Sequence, residues 1–240
     1  QDLFKVLIYD KYSQSILSPL FSVQQLGRMG ITTHFLIDIP REKVPDMPAV
    51  YYVRPTEQNV RRIIEDYAKG LYDTMYVNFT SSLPRTLLEQ LAKGCLDAPH
   101  SSSRIEKVFD QFSEFVSLEP CLLSLHHTNS FWPHDQVTTM LPFVQQYLDR
   151  VVDQLFSIVA TMGVIPLIRC RKNEASNDVG EKLCKKIQDH TMGKNNLFAN
   201  SSTSFHRPVL ILVDRTVDLT VTVQHPWTYQ SGCSHPDDRT

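Results

Sequence analysis

Glycine is scarce in this chain, with 8 in 240 residues, and none stands where a phosphate-binding loop needs it. The segment after the first apolar run reads Asp10-Lys11-Tyr12-Ser13-Gln14. With no glycine there, the backbone cannot approach a pyrophosphate closely, and dinucleotide binding is excluded. The G-x-x-x-x-G-K loop and the G-x-S-x-G elbow are also missing, which removes P-loop and nucleophile-elbow chemistry. Cysteine is sparse and scattered: the 5 thiols are Cys95, Cys121, Cys170, Cys184 and Cys233. A disulfide framework or zinc finger needs tighter spacing, so reduced thiols in a cytosolic protein are expected. No uninterrupted apolar run approaches the ~18 residues of a membrane helix. The start, Gln1-Asp2-Leu3-Phe4-Lys5, has no charged region followed by an apolar one, hence no signal peptide. The sequons at Asn78 and Asn200 are then expected to be unused. Because the first residue is not Met, the chain is expected to begin inside a longer protein. An excess of charge is lacking too. Lys plus Arg number 24 and Asp plus Glu 26, a balance that argues against a binder of nucleic-acid backbones.

What is present is a hydrophobic fraction of 42%, enough for one large domain or two small ones. Val6-Leu7-Ile8-Tyr9 reads as a buried strand ending at Asp10. Ser22 and Gln25 form a capping-box pattern for the helix that follows, and Gly30 suits a left-handed stop. Strands are expected at 33–37 and 49–53. Thr56 then caps a helix carrying Val60, Ile63, Ile64, Tyr67 and Leu71. A fourth strand is expected at 75–79, and a helix opened by Pro84 carries Leu87, Leu88, Leu91, Ala92 and Cys95. After a polar turn at 100–103, Ile105, Val108, Phe109 and Phe112 have the spacing of another helix, and 115–118 reads as the fifth strand. Strand and helix alternate, so the first ~125 residues predict a five-stranded parallel sheet with flanking helices. A loop at 120–134 breaks the pattern. A long helix over 138–162, a strand at 164–168, a helix over 180–192, a loop at 194–204 and a buried strand at 209–213 then begin a second α/β block. Pro166 points to an edge position for its strand. Its sheet looks unfinished, so the chain is expected to stop partway through a second domain.

An Asp at the carboxyl end of a parallel strand sits where α/β ligands bind, which makes Asp10 and Asp214 the catalytic suspects. A phosphoryl-accepting aspartate needs further carboxylates for Mg²⁺ and a Lys for phosphate. Asp214-Arg215-Thr216 has no second acid two residues on, and the third strand ends in Val53-Arg54-Pro55. Structural or ion-pairing roles are therefore expected for both. His126, His127 and His134, like His225, Cys233 and His235, lack the ligand spacing of a zinc site. Cys170, between Arg169 and Arg171, reads as a strand-end residue. Neither a catalytic constellation nor a cofactor is expected. The alternative kept open is an α/β hydrolase or phosphotransferase using a strand-end aspartate.

Several segments, in order, resemble the SM family, the Sec and Munc-eighteen relatives that bind syntaxins, and within it the Sly-type branch of endoplasmic reticulum to Golgi transport. They are Lys5-Val6-Leu7-Ile8-Tyr9-Asp10, Met29-Gly30-Ile31-Thr32-Thr33-His34, Val44-Pro45-Asp46-Met47-Pro48-Ala49-Val50-Tyr51-Tyr52-Val53-Arg54-Pro55-Thr56, and Val77-Asn78-Phe79-Thr80-Ser81-Ser82-Leu83-Pro84-Arg85. Val108-Phe109-Asp110-Gln111-Phe112, Asp214-Arg215-Thr216-Val217-Asp218 and His225-Pro226-Trp227-Thr228-Tyr229-Gln230 continue the series. The resemblance implies a non-enzymatic, cytoplasmic protein, peripheral at ER and Golgi membranes through its SNARE partners and without a transmembrane segment. It implies no cofactor. Residues 1–125 would be the first domain, 126–230 the first part of the second, and 231–240 an irregular tail. It further implies that a syntaxin N-terminal peptide docks on an outer pocket made by Leu88, Leu91 and Ala92 on one helix and Ile105, Val108 and Phe109 on the next. Spacing alone leaves two arrangements open: both apolar faces pack on the sheet, or they form a groove for a peptide side chain.

Overall fold

The computed structural model describes residues 4–98, 103–127, 141–192, 197–198, 207–214, 218 and 220. Apolar runs make β1 (Lys5–Tyr9), β3 (Ala49–Val53) and β4 (Thr74–Phe79), and these form the middle of a parallel sheet. With β2 (Ile31–Leu36) and β5 (Arg104–Asp110) as its edges, the sheet has the order β2-β1-β3-β4-β5. The order reverses between β1 and β3, so their carboxyl ends flank a crevice.

Local chemistry sets the helix ends. Asp10 caps α1 (Lys11–Leu17), its Oδ1 accepting from the Ser13 N–H at 2.7 Å. The capping box of α2 (Val23–Arg28) forms as expected between Ser22 and Gln25. Thr56 caps α3 (Glu57–Lys69), which Gly70 ends in the left-handed region. One face of the sheet packs under α3 and α4 (Arg85–Leu96), where Tyr51, Val53, Ile63, Met75, Val77, Phe79 and Leu91 make a continuous core. A second core lies between α5 (Leu141–Met162) and α6 (Ala175–Met192), around Phe156, Val159, Leu183 and Ile187.

Four expectations need correction. Residues 105–112 are not helical: 105–110 lie within β5, and a bulge between Ile105 and Lys107 produces the helix-like spacing. Residues 115–118 do not supply the fifth strand. Instead β6 (Val116–Glu119) pairs antiparallel with β7 (Leu122–Ser124) in a separate hairpin. Helix α6 begins at Ala175, five residues before Gly180, which sits inside it against Cys170. The last strand is not buried. β9 (Val209–Ile211) pairs in parallel with β8 (Leu167–Arg169), and this sheet has two strands among the described residues. Leu210 turns to the second core while Ile211 stays 68% exposed. The long helix ends before Gly163, whose φ of +65° is left-handed. Its expected first residues, 138–140, the polar turn at 100–102, most of the loop at 194–204 and the tail at 231–240 lie outside the described residues.

The helix pair α3–α4 approaches closely at Gly94. A Cβ there would lie 2.6 Å from Ile64 Cδ1 and 2.7 Å from its Cγ2. Ile64 is β-branched and stiff in a helix, so Cγ2 cannot swing clear. Gly94→Ala is expected to lower stability by about 1–2 kcal/mol, overpacking outweighing alanine's better helix propensity. The midpoint of urea unfolding measures it; a higher midpoint would refute the tight approach.

Candidate functional site

The flank of the first core, where α4 meets β5, carries the residues expected to form a pocket. Leu91 faces the core and is 3% exposed. Leu88, at 45% exposure, and Ala92 are open to solvent. On β5, Ile105 pairs with Met75 and Val108 with Val77. Paired residues of parallel strands point to the same side, so Ile105 and Val108 share the α4 side of the sheet, brought there by the bulge. Ile105 packs on the core, and Val108 remains 36% exposed. Phe109 pairs with Asn78 and so points to the opposite face, where it is 44% exposed. Leu88, Ala92 and Val108 are thus each exposed, Leu91 and Ile105 pack on the first core, and Phe109 faces the other side of the sheet from Val108.

Charged groups border this surface. Arg85 pairs with Glu89 across one helical turn at 2.9 Å, and Arg104 with Glu106 on β5 at 3.1 Å. Asp110, at the end of β5, accepts the Leu83 N–H at 3.2 Å, which ties the strand to the start of α4. Burial pushes the Asp110 carboxyl above its ordinary range, against the hydrogen bonds from Leu83 and Ser82. Burial likewise raises the Cys95 thiol beneath α4.

The strand-end aspartates have structural partners. Asp10 is buried; besides Ser13 it accepts from Arg54 N–H at 3.1 Å, Arg54 Nε at 3.3 Å and Asn59 Nδ2 at 2.9 Å. Asp214 accepts the Ser176 N–H at 3.2 Å, near the start of α6. Beside Asp10, at the crevice between β1 and β3, lies a polar cleft of 390 Å³ lined by Tyr12, Arg54, Ser81, Glu114, Asp153 and Gln154. Glu114 is buried there and accepts from Thr80 Oγ1 at 2.9 Å; burial raises its carboxyl. Burial also pushes the Tyr12 hydroxyl up to about 12. Gln154 donates to Tyr12 Oη at 2.8 Å and to the Leu125 carbonyl at 2.9 Å, and its Oε1 meets His127 Nε2 at 2.6 Å. His127 is thus engaged with an amide rather than with a metal-ligand set. Among the described residues no group of three or more His, Cys, Asp or Glu could hold a metal ion. His134, His225, Cys233 and His235, together with 215–217 and 225–230 of the two family motifs, lie outside those residues.

Sequence reasoning did not find the Arg54 and Asn59 bonds to Asp10, which span 44 and 49 residues. The spacing Asp10-x-x-Ser13 was the available signal for the cap. It also did not separate the faces of Val108 and Phe109, because a bulge has no sequence mark here.

A sequence model of the Sec1 family matches residues 5–233. The SEC1 family transport protein SLY1 of Arabidopsis thaliana is 42% identical over 233 residues, covering 96% of this chain and 37% of its own length. The Sec1 family domain-containing protein 1 of Homo sapiens is 39% identical over 241 residues, with the same coverage. The chain thus spans about 37% of the length of these relatives. Among solved structures, Sly1p in complex with an N-terminal peptide of Sed5p superposes with a TM-score of 0.77 at 34% identity, over 95% of this chain and 37% of that one. The SM protein Vps45 in complex with the Qa SNARE Tlg2 gives 0.77 at 20% identity, over 98% and 40%, and shares the fold. With the family match running through both cores, this chain belongs to the Sec1 family.

Proposed function

We propose that this chain binds the N-terminal peptide of a syntaxin on the surface between α4 and β5, and that the protein promotes SNARE assembly in vesicle docking and fusion between the endoplasmic reticulum and the Golgi. Residues 1–125 would be the peptide-binding domain and 126–230 the first part of a second. The carrying observation is the exposed trio Leu88, Ala92 and Val108 over a buried floor, in a chain 34% identical to a Sly1p that was solved with such a peptide. An apolar peptide side chain would insert among the three, and the bordering ion pairs would set the register. The role is binding, not catalysis, and the place of action is the cytoplasmic face of ER and Golgi membranes. Among the described residues no helix is long and apolar enough to cross a membrane, and attachment would come through the SNARE partner.

Phe109 serves as the control, because its register turns it to the opposite face of the sheet. Calorimetric titration with the Sed5p N-terminal peptide tests the reading. Val108→Asp is expected to weaken binding at least tenfold, about 1.4 kcal/mol or more, while Phe109→Ala leaves it unchanged. Binding by the parent that survives Val108→Asp would move the site elsewhere. A folded parent that does not bind would remove the peptide from the proposal.

A further inference from the structure

Two residues beyond β5 the chain does something unusual. Phe112 has a φ of +47°, a conformation that bulky residues rarely adopt. It is held on both sides by backbone bonds to the first sheet: Gln111 N–H donates to the Phe79 carbonyl at 2.8 Å, and Ser113 N–H to the Thr80 carbonyl at 2.7 Å. Its ring, however, belongs to the second core. It meets Phe156 edge-on at 5.5 Å and His190 edge-on at 5.8 Å, centroid to centroid. Its carbonyl accepts from Thr161 Oγ1 on α5 at 3.1 Å. The backbone of Phe112 is therefore part of one unit and its side chain part of the other.

The same short segment reaches the candidate groove. Val108 lies four residues upstream on β5, and Asp110 fastens the end of that strand to Leu83 at the start of α4. Both walls of the groove thus attach to the three residues that precede the ring. A left-handed phenylalanine persists where its surroundings over-determine it, and such residues cluster at sites where position matters. We propose that Phe112 is a positioning residue that ties the α4–β5 groove to the core between α5 and α6, so that peptide in the groove and packing of that core each depend on the other. This rests on the peptide-binding reading given above. A peptide that favours one placement of β5 would favour one seating of the ring, and the dependence must run equally in both directions.

The test uses the whole chain, the Phe112→Ala and Phe112→Leu variants, and the Sed5p N-terminal peptide as probe. Leucine keeps an apolar body in the second core should alanine prevent folding. Two readouts are followed: peptide affinity by calorimetry, and amide hydrogen exchange without peptide. Phe112→Ala is expected to weaken the peptide at least fivefold although no groove side chain has changed, with Phe112→Leu between it and the parent. Exchange is expected to quicken not only in α5 and α6 but also in β5 and α4. Quickening confined to α5 and α6, with affinity at the parent value, overturns the proposal and leaves the peptide reading intact. If the parent binds no peptide, the peptide reading fails, and unchanged exchange in β5 and α4 would then overturn the tie on its own.

Discussion

Asp10→Ala is expected to destabilise the protein by about 3–5 kcal/mol, through the loss of one helix cap and the orphaning of buried donors. The carboxylate holds four donors from three parts of the chain: Ser13 in α1, Arg54 after β3, twice, and Asn59 in α3. Alanine leaves the Ser13 and Arg54 N–H groups without their acceptor. A cap alone is worth ~1 kcal/mol, and each buried donor left unpaired costs ~1–3 kcal/mol. Asp10→Asn should lose less, since one oxygen remains, but its amide nitrogen then faces donors. Urea unfolding at pH 6.5 measures the ranking. A loss under ~1 kcal/mol for alanine would show that water replaces the carboxylate without penalty.

The same residue has a pH signature. Burial alone would raise the Asp10 carboxyl, but the hydrogen bonds from Ser13, Arg54 and Asn59 outweigh it and hold the group below the ordinary range. The unfolded chain therefore binds this proton more readily than the folded one, and stability rises with pH across that window. The contribution is present above the unfolded value of ~3.9 and is lost as pH falls through the lower folded value. The gap between parent and Asp10→Asn should narrow on acidification from pH 6 to pH 3. A gap that stays constant would mean the charge is not what Arg54 and Asn59 recognise. This outcome also bears on the enzyme alternative, because an aspartate whose loss unfolds the chain is acting as a structural post.

Much of this architecture can be read along the chain, and the failures share a cause. β1 and β3 are short apolar runs closed by polar residues, and Ser22, Thr56 and Gly30 mark helix boundaries by local bonding that depends on nearby residues. Such features survive in a linear reading. β5 does not, because its bulge puts Ile105 and Val108 on one face at a spacing of three, which a helix produces as well. The strand at 209–213 looks buried because its side chains are all apolar, yet burial depends on what covers the sheet. At the candidate site, Leu88, Leu91 and Ala92 lie on a regular helix, and their shared flank follows from spacing. The resemblance implies Phe109 beside Val108 in the pocket, and helical spacing agrees by placing neighbours on adjoining flanks, whereas the strand sends them to opposite faces. The bonds of Asp10 to Arg54 and Asn59 and the seat of Phe112 depend on pairings between residues far apart in the chain, which a single sequence does not record.

Arg41→Ala is expected to cost about 3–5 kcal/mol, even though the ion pair it breaks adds no net stability. Arg41 is 3% exposed in its side chain and pairs with Asp66 on α3. It also donates to the Leu36 carbonyl at 3.0 Å, while Tyr51 Oη donates to the same carboxylate at 2.9 Å. Burial pushes the Asp66 carboxyl above its ordinary range, and the opposing pull of Arg41 and Tyr51 does not bring it back. The folded state thus holds this proton more tightly than the unfolded one. The contribution of this group is greatest below the unfolded value and declines as pH rises through the folded one. Desolvation exceeds attraction, which is the usual balance for a buried pair. Removing the arginine leaves that cost in place with only the Tyr51 hydrogen bond and the Lys69 charge to oppose it. Stability of Arg41→Ala should therefore fall more steeply between pH 4 and pH 7 than that of the parent. Replacing the whole group by apolar residues, as Arg41→Met with Asp66→Leu and Tyr51→Phe, should recover most of the loss and flatten the pH dependence. Urea midpoints of the three proteins across that range decide it. If the apolar triple is as unstable as Arg41→Ala, the arginine stabilises by anchoring the β2–β3 loop rather than by neutralising Asp66. If Arg41→Ala is as stable as the parent, the guanidinium does not occupy the buried position at all.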